Sequence, residues 1–173
     1  MAIALDAGAR VIATARLSDK AVWVTGLGAD CVLDTSVLDS DRLVEQIAVL
    51  TDGRGPDVVL DTVGGQTVAD SLRAVGYAGR VVALANVALA PSLIDTRDFY
   101  PKNVRILGFQ ITALMEHGYD PRPDLTDLLE AVCPGRFTVP VDAVFPLAEA
   151  AEAHRYLEAR ANRCKVMLTT ASG

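Results

Sequence analysis

Residues able to do polar chemistry are few in this 173-residue chain, and most of them stand alone. There are two histidines. His154 falls on an apolar helical stripe and reads as a packing or hydrogen-bonded core group, whereas His117 sits beside carboxylates in a loop, Glu116-His117-Gly118-Tyr119-Asp120. A metal site needs several ligands at defined spacing, and neither histidine has them. The three cysteines, Cys31, Cys133 and Cys164, are far apart and form no CxxC, so neither a disulfide framework nor a cysteine-rich zinc site is indicated. No GxSxG elbow marks a nucleophilic serine, and no general acid can be named. The segment Asp61-Thr62-Val63-Gly64-Gly65 closes an apolar strand with a tight turn. Because α/β proteins bind ligands at the carboxyl edge of their sheets, this turn is either a ligand contact or a place where glycine supplies backbone freedom. Ala85-Asn86-Val87 and Phe109-Gln110-Ile111 end the next two strands on the same edge, as ligand contacts or as ordinary strand ends.

Short β-branched runs alternate with helical stretches, which predicts an α/β fold with a parallel sheet. The expected strands are Arg10–Ala15, Cys31–Asp34, Asp57–Asp61, Arg80–Ala85, Val104–Ile111 and Lys165–Thr169. Most are continuously apolar, as strands covered by helices on both faces should be. The expected helices are Ser18–Leu27, with Ser18 as N-cap, Ser40–Leu50, Gln66–Val75, Asp124–Val132 and Leu147–Ala161. The last of these places Leu147, Ala150, Ala151, His154, Leu157 and Ala161 on one stripe. No internal repeat or linker divides the chain, so one domain over residues 1–173 is expected.

Composition narrows the function classes. Sixteen basic against 22 acidic residues give a formal net charge of −6, which argues against nucleic-acid binding through a basic surface. With 51% hydrophobic residues the chain has ample apolar surface to bury, so disorder is excluded as its main state. No apolar run approaches the roughly 20 residues of a membrane span, and the N-terminus is a poor signal peptide. A cytoplasmic, reducing setting is expected.

In order and spacing, Gly8-Ala9-Arg10-Val11-Ile12-Ala13-Thr14, Leu27-Gly28-Ala29-Asp30, Asp57-Val58-Val59-Leu60-Asp61-Thr62-Val63-Gly64-Gly65 and Gly79-Arg80-Val81-Val82 resemble the medium-chain dehydrogenase/reductase superfamily. The resemblance is narrower to its zinc-free quinone-oxidoreductase branch. The tail Val144-Phe145-Pro146-Leu147-Ala148-Glu149-Ala150 through Glu158 is similar to that branch's C-terminal signature, and Lys165-Val166-Met167-Leu168 to its closing strand. The resemblance implies a Rossmann-like doubly wound, mostly parallel sheet that lacks the usual first strand and glycine-rich turn, and so a truncated nucleotide-binding domain. The absent strand would be central, leaving a gap that Arg10–Ala15 and Asp57–Asp61 close or another chain fills, since unpaired backbone groups are costly to bury.

The resemblance also implies a cofactor, NADPH, and a hydride transferred to a quinone, enone or related conjugated carbonyl. Arg16 and Lys20 follow the strand whose end normally separates NAD from NADP, and basic groups there tolerate a 2′-phosphate; the alternative is ordinary solvated charge. Thr35 stands where relatives often carry a phosphate-contacting tyrosine. Thr62, Val63 and Gly64 would pass the nicotinamide ribose, and Ala85, Asn86, Phe109, Gln110 and Ile111 would line the nicotinamide pocket, with Asn86 and Gln110 orienting the carboxamide. Lys165 completes the implied cofactor contacts. No metal is implied. Strand 104–111 is the expected sheet edge, through which relatives often form a homodimer. A second reading is a redox-inactive remnant that works as a dimerisation or interaction module or binds another small ligand; reuse of the cleft by a non-redox enzyme is a third.

Overall fold

The structure is a computed structural model that describes residues 1–16, 18–136, 138–159 and 161–170, without the side chains of Ser18 and Asp19. In chain order its elements are α1 (Ala2–Asp6), β1 (Ile12–Ala15), α2 (Ser18–Gly26), β2 (Cys31–Asp34), α3 (Ser40–Leu50), β3 (Val58–Asp61) and α4 (Gln66–Ala74). Then come β4 (Arg80–Ala83), β5 (Arg105–Gly108), α5 (Ile111–Glu116), α6 (Arg122–Val132), β6 (Val141–Pro146), α7 (Ala150–Glu158) and β7 (Lys165–Thr169). The alternation of strand and helix is the expected α/β pattern. The expected N-cap side chain of α2, Ser18, lies outside the description.

The chain divides into two compact units, one of Met1–Val32 with Pro123–Gly173, the other of Leu33–Arg122. In the second unit β3, β4 and β5 form a parallel sheet in that order, with Val59 opposite Val81 and Val81 opposite Ile106. Val68, Leu72 and Val75, at helical spacing along and just past α4, bury with Val81, and Val59, Phe99 and Val104 pack around them. Each fully buried aliphatic of this kind contributes roughly 1.5–3 kcal/mol. Helix α3 is capped by Asp39, whose carboxylate accepts from the Arg42 N–H at 2.9 Å. It is tied to α4 through the buried Asp70, which accepts from Ser40 Oγ at 2.9 Å and from Gln66 Nε2 at 3.0 Å. At the other end of α4, Lys102 Nζ donates to the carbonyls of Leu72, Arg73 and Val75 at 2.7, 3.0 and 2.8 Å. A cation there answers the helix's unpaired carbonyls.

In the first unit β6 and β7 pair in parallel and α7 connects them in sequence. Asp142 on β6 ties the three together. Its carboxylate accepts from the Tyr156 hydroxyl of α7 at 2.8 Å and from the Arg163 N–H, just before β7, at 3.2 Å. The Tyr156 ring also lies against Phe145, with centroids 5.9 Å apart.

Several expectations change. Within the described residues the strands fall into three groups: β1 pairs with β2, β4 lies between β3 and β5 and pairs with both, and β6 pairs with β7. The strands expected to be covered on both faces are not all covered: Val58 and Leu60 of β3 are 44% and 60% exposed, and every residue of β5 is exposed. Strand Val104–Ile111 stops at Gly108, and Ile111 instead opens α5, because Gln110 caps a helical turn there. Strand β6 (Val141–Pro146), not expected, ends on Val144–Pro146, the first residues of the segment that resembles the family's C-terminal signature. The stripe along the last helix is out of phase. His154 and Leu157 are exposed rather than packed, and Ala153 is the residue that buries.

Candidate functional site

Parallel pairing puts the carboxyl ends of β3, β4 and β5 on one edge of their sheet, where residues 62–65, 84–86 and 109–110 continue the chain. The turn after β3 is built around Asp61. Its carboxylate is buried and accepts from the N–H groups of Val63 and Gly64 at 2.8 and 2.9 Å, with the Thr67 hydroxyl 2.8 Å from Oδ2. This turn therefore spends its own backbone donors on its own carboxylate and offers those two N–H groups to no phosphate. Gly64, at φ 80°, has no room for a side chain, since a Cβ there would lie 2.8 Å from Asn86 Cα. That approach, with the Ala88 N–H bond to Val63 O at 2.9 Å, fastens the β3 turn to the segment after β4.

Beside it lies an open cleft of about 570 Å³, floored by residues 83–86 and 108–110 and walled by Ala113, Leu114 and His117 of α5 and its cap. Gln110, Ala113, Leu114 and His117 are spaced i, i+3, i+4, i+7, one face of a helix. The lining is mostly apolar. Gly108 ends β5 in the cleft, and a Cβ added there would meet nothing within 4 Å, so a side chain at this position would take up cleft space without touching the fold.

Among the residues picked from sequence, the structure brings Ala85, Asn86, Phe109 and Gln110 into this cleft. Their polar groups are partly engaged. The Gln110 carboxamide oxygen accepts from the Ala113 N–H as the cap of α5 while its Nε2 donates to Thr112 Oγ1 at 2.6 Å. Asn86 Nδ2 donates to the Ala90 carbonyl at 3.3 Å. Ile111 does not line the cleft and is exposed on α5. Thr62 and Val63 are exposed in the β3 turn and Gly64 is buried in it. Thr35 is exposed in the turn after β2. In the other unit, Arg16 is exposed after β1 and Lys20 half-buried in the first turn of α2, and no hydrogen-bond or ion-pair partner engages either side chain among the described residues. Lys165 is exposed at the start of β7.

Sequence reasoning missed Gly108, Leu114 and the place of His117. The helical stripe that would have found them was hidden by running the strand through Ile111. Among the described residues no cluster of three or more His, Cys, Asp or Glu could hold a metal, and no helix is long and apolar enough to cross a membrane. All three cysteines are free thiols.

Helices alternating with parallel strands, and a cleft at the strands' carboxyl ends, define a Rossmann-like nucleotide-binding fold. The zinc-binding dehydrogenase family model matches residues 1–131, and the chain belongs to that family. Curated relatives include a 2-haloacrylate reductase of a Burkholderia species, 30% identical over 88% of this chain, and a quinone oxidoreductase-like protein 2 homolog of Nematostella vectensis, 26% identical over 94%. The chain spans 46% and 44% of their lengths, under half of each. Two solved structures superpose with TM-scores of 0.82. One is a mycobacterial protein complexed with NADPH, 28% identical, covering 97% of this chain and 52% of its own. The other is an NAD-dependent alcohol dehydrogenase, 30% identical, covering 98% and 46%.

Proposed function

We propose that this chain binds the nicotinamide cofactor of a reductase acting on a quinone, enone or related conjugated carbonyl, with NADPH as the cofactor. The observation that carries the reading is the cleft at the carboxyl ends of β4 and β5, floored by Ala85, Asn86 and Phe109 and left open above Gly108. A flat, mostly apolar ring with one polar substituent fits such walls, and a missing Cβ at Gly108 is the sort of space a ring edge fills. When bound, the cofactor supplies the hydride, while the protein orients the ring. Leu84, Phe109 and Leu114 offer the ring an apolar surface to pack on, and Asn86 and Gln110 are the polar groups on this edge that would orient its carboxamide. Arg16 and Lys20 supply the positive charge for a 2′-phosphate. Thr62, Val63 and Gly64 would contact the nicotinamide ribose through the β3 turn, with Thr35 and Lys165 as further cofactor contacts implied by the family resemblance.

Calorimetric titration of the chain with NADPH and with NADH tests this. Saturable binding, tighter for NADPH, is the expected result, and Arg16→Ala with Lys20→Ala should narrow the difference between the two. No saturable heat up to about millimolar cofactor, well above the affinity such sites need, removes the reading.

A second reading is favoured by β5. It is an edge strand, exposed along its length, with Ile106 and Leu107 43% and 44% exposed, and an apolar edge of this kind is a template for another strand. The chain then pairs with a second copy through residues 104–111, in a cytoplasmic setting compatible with its free thiols. Pairing and cofactor binding are compatible; the interaction module stands alone only if no cofactor binds.

A further inference from the structure

Helix α5 walls the cleft with Ala113 and Leu114, but among the described residues the fold gives it little hold there. All six of its residues are exposed, and none is buried against the sheet. The hydrogen bonds of residues 110–118 find their partners within 110–119. Gln110 caps the first turn, and the N–H groups of Leu114 and His117 donate to the carbonyls of Gln110 and Ala113 at 3.1 Å each. The Phe109 N–H, donated to Ala83 at 2.9 Å, is the main-chain tie to the sheet just before this segment.

Six residues make under two turns. Nucleating a helix fixes several dihedral angles for one hydrogen bond, so helices shorter than about 12 residues need packing to persist. Ile111 and Thr112, both β-branched, lower the propensity further. Helix α4 of the same unit is the contrast: it buries Val68, Ala69, Asp70 and Leu72, and Lys102 answers its last carbonyls. Yet the end of α5 is well specified. Gly118, at φ 93°, donates to the Met115 carbonyl at 3.1 Å and the Tyr119 N–H to that of Leu114 at 2.9 Å, the paired bonds of a Schellman stop. The segment is thus capped at both ends and lacks only something to pack on.

We propose that α5 is a lid on the cleft, exchanging between unwound and helical forms, and that a ligand in the cleft selects the helical form by packing against Ala113 and Leu114. The inference rests on the proposed cofactor reading for the identity of that ligand. Elements with few buried apolar contacts open at little free-energy cost, and binding lids are drawn from them. The ligand supplies the packing that the fold omits, and its apparent affinity falls with the fraction of chains in which α5 is formed.

Amide hydrogen exchange on the whole chain, read residue by residue by NMR with NADPH as the ligand, tests this. In the free chain the Leu114, His117 and Tyr119 amides are expected to exchange within about tenfold of unstructured rates. The Val75 amide, bonded to the Ser71 carbonyl at the end of α4, is expected to be protected roughly a hundredfold more. Saturating NADPH is expected to slow the three α5 amides roughly tenfold or more. Gly118→Ala lies outside the cleft lining and puts a side chain on left-handed backbone, so it is expected to weaken NADPH roughly three- to tenfold. Free-chain protection of α5 equal to that of α4, saturable binding that leaves the α5 amides exchanging freely, or unchanged affinity in Gly118→Ala overturns the lid while leaving cofactor binding intact. Absence of saturable binding instead removes the cofactor reading and the lid with it.

Discussion

Replacing Asp61 with Ala takes away the acceptor of the Val63 and Gly64 N–H groups and of the Thr67 hydroxyl. An orphaned buried donor costs about 1–3 kcal/mol, and Gly64 is buried while Val63 is not. Asp61→Ala is therefore expected to lower stability by roughly 2–3 kcal/mol in urea unfolding, and Asp61→Asn, which keeps one acceptor oxygen, by distinctly less. The sequence showed the turn but not this role, because a carboxylate at a strand end reads equally well as a ligand contact. Tyr156 is the second residue with a measurable signature. Its hydrogen bond to Asp142, with burial and the carboxylate's charge adding to it, raises the phenol above its ordinary value of 10.0. A raised folded-state value means the folded chain holds the proton more tightly. The stabilisation is complete below about pH 10 and is lost as pH rises through the raised value. Tyr156→Phe is expected to be less stable than wild type at neutral pH, with the gap between their thermal midpoints closing at alkaline pH. A gap that widens would contradict this.

Elements were legible where a single physical demand set them. Helix α3 runs Ser40–Leu50 as its spacing of Leu43, Val44, Ile47 and Leu50 requires, and β2 and β7 also have the expected bounds. Legibility failed where two demands overlapped. The apolar run through Ile111 suits a strand, but the cap made by Gln110 turns it into α5. Strand β6 was hidden by Asp142, a polar residue that a half-buried strand carries on one side and that the Tyr156 and Arg163 bonds satisfy. Strand β5 carries its own prediction. The N–H groups of Arg105 and Phe109 donate to Gly79 and Ala83, on the β4 side, so by the alternation of a parallel ladder the Ile106 N–H turns to the free edge. Ile106→Pro is thus expected to leave the β4 pairing in place and abolish self-association. Light scattering after gel filtration reads it, with wild type as a dimer and the variant as a monomer. A wild-type monomer, or a dimer in both, would show that β5 is not the interface.

At the scale of the whole molecule, family membership and α/β class were readable because many weak signals fell in the right order along the chain. The candidate site was half legible. Strand-end residues Ala85, Asn86, Phe109 and Gln110 were found from the rule that α/β proteins bind at the carboxyl edge, while Gly108 and His117, set by the helical face of α5, were not. The central claim is that this edge of the sheet receives the nicotinamide. It is tested most directly by following backbone amide NMR signals of the isotope-labelled chain during titration with NADPH. Saturable shifts at Ala85, Asn86, Gly108 and Phe109 are expected in the wild type. In Gly108→Leu, whose added side chain projects into open space rather than into the fold, those shifts should vanish while the spectrum stays that of a folded protein. Saturable NADPH binding that leaves these amides unmoved, or that survives intact in Gly108→Leu, would contradict the account.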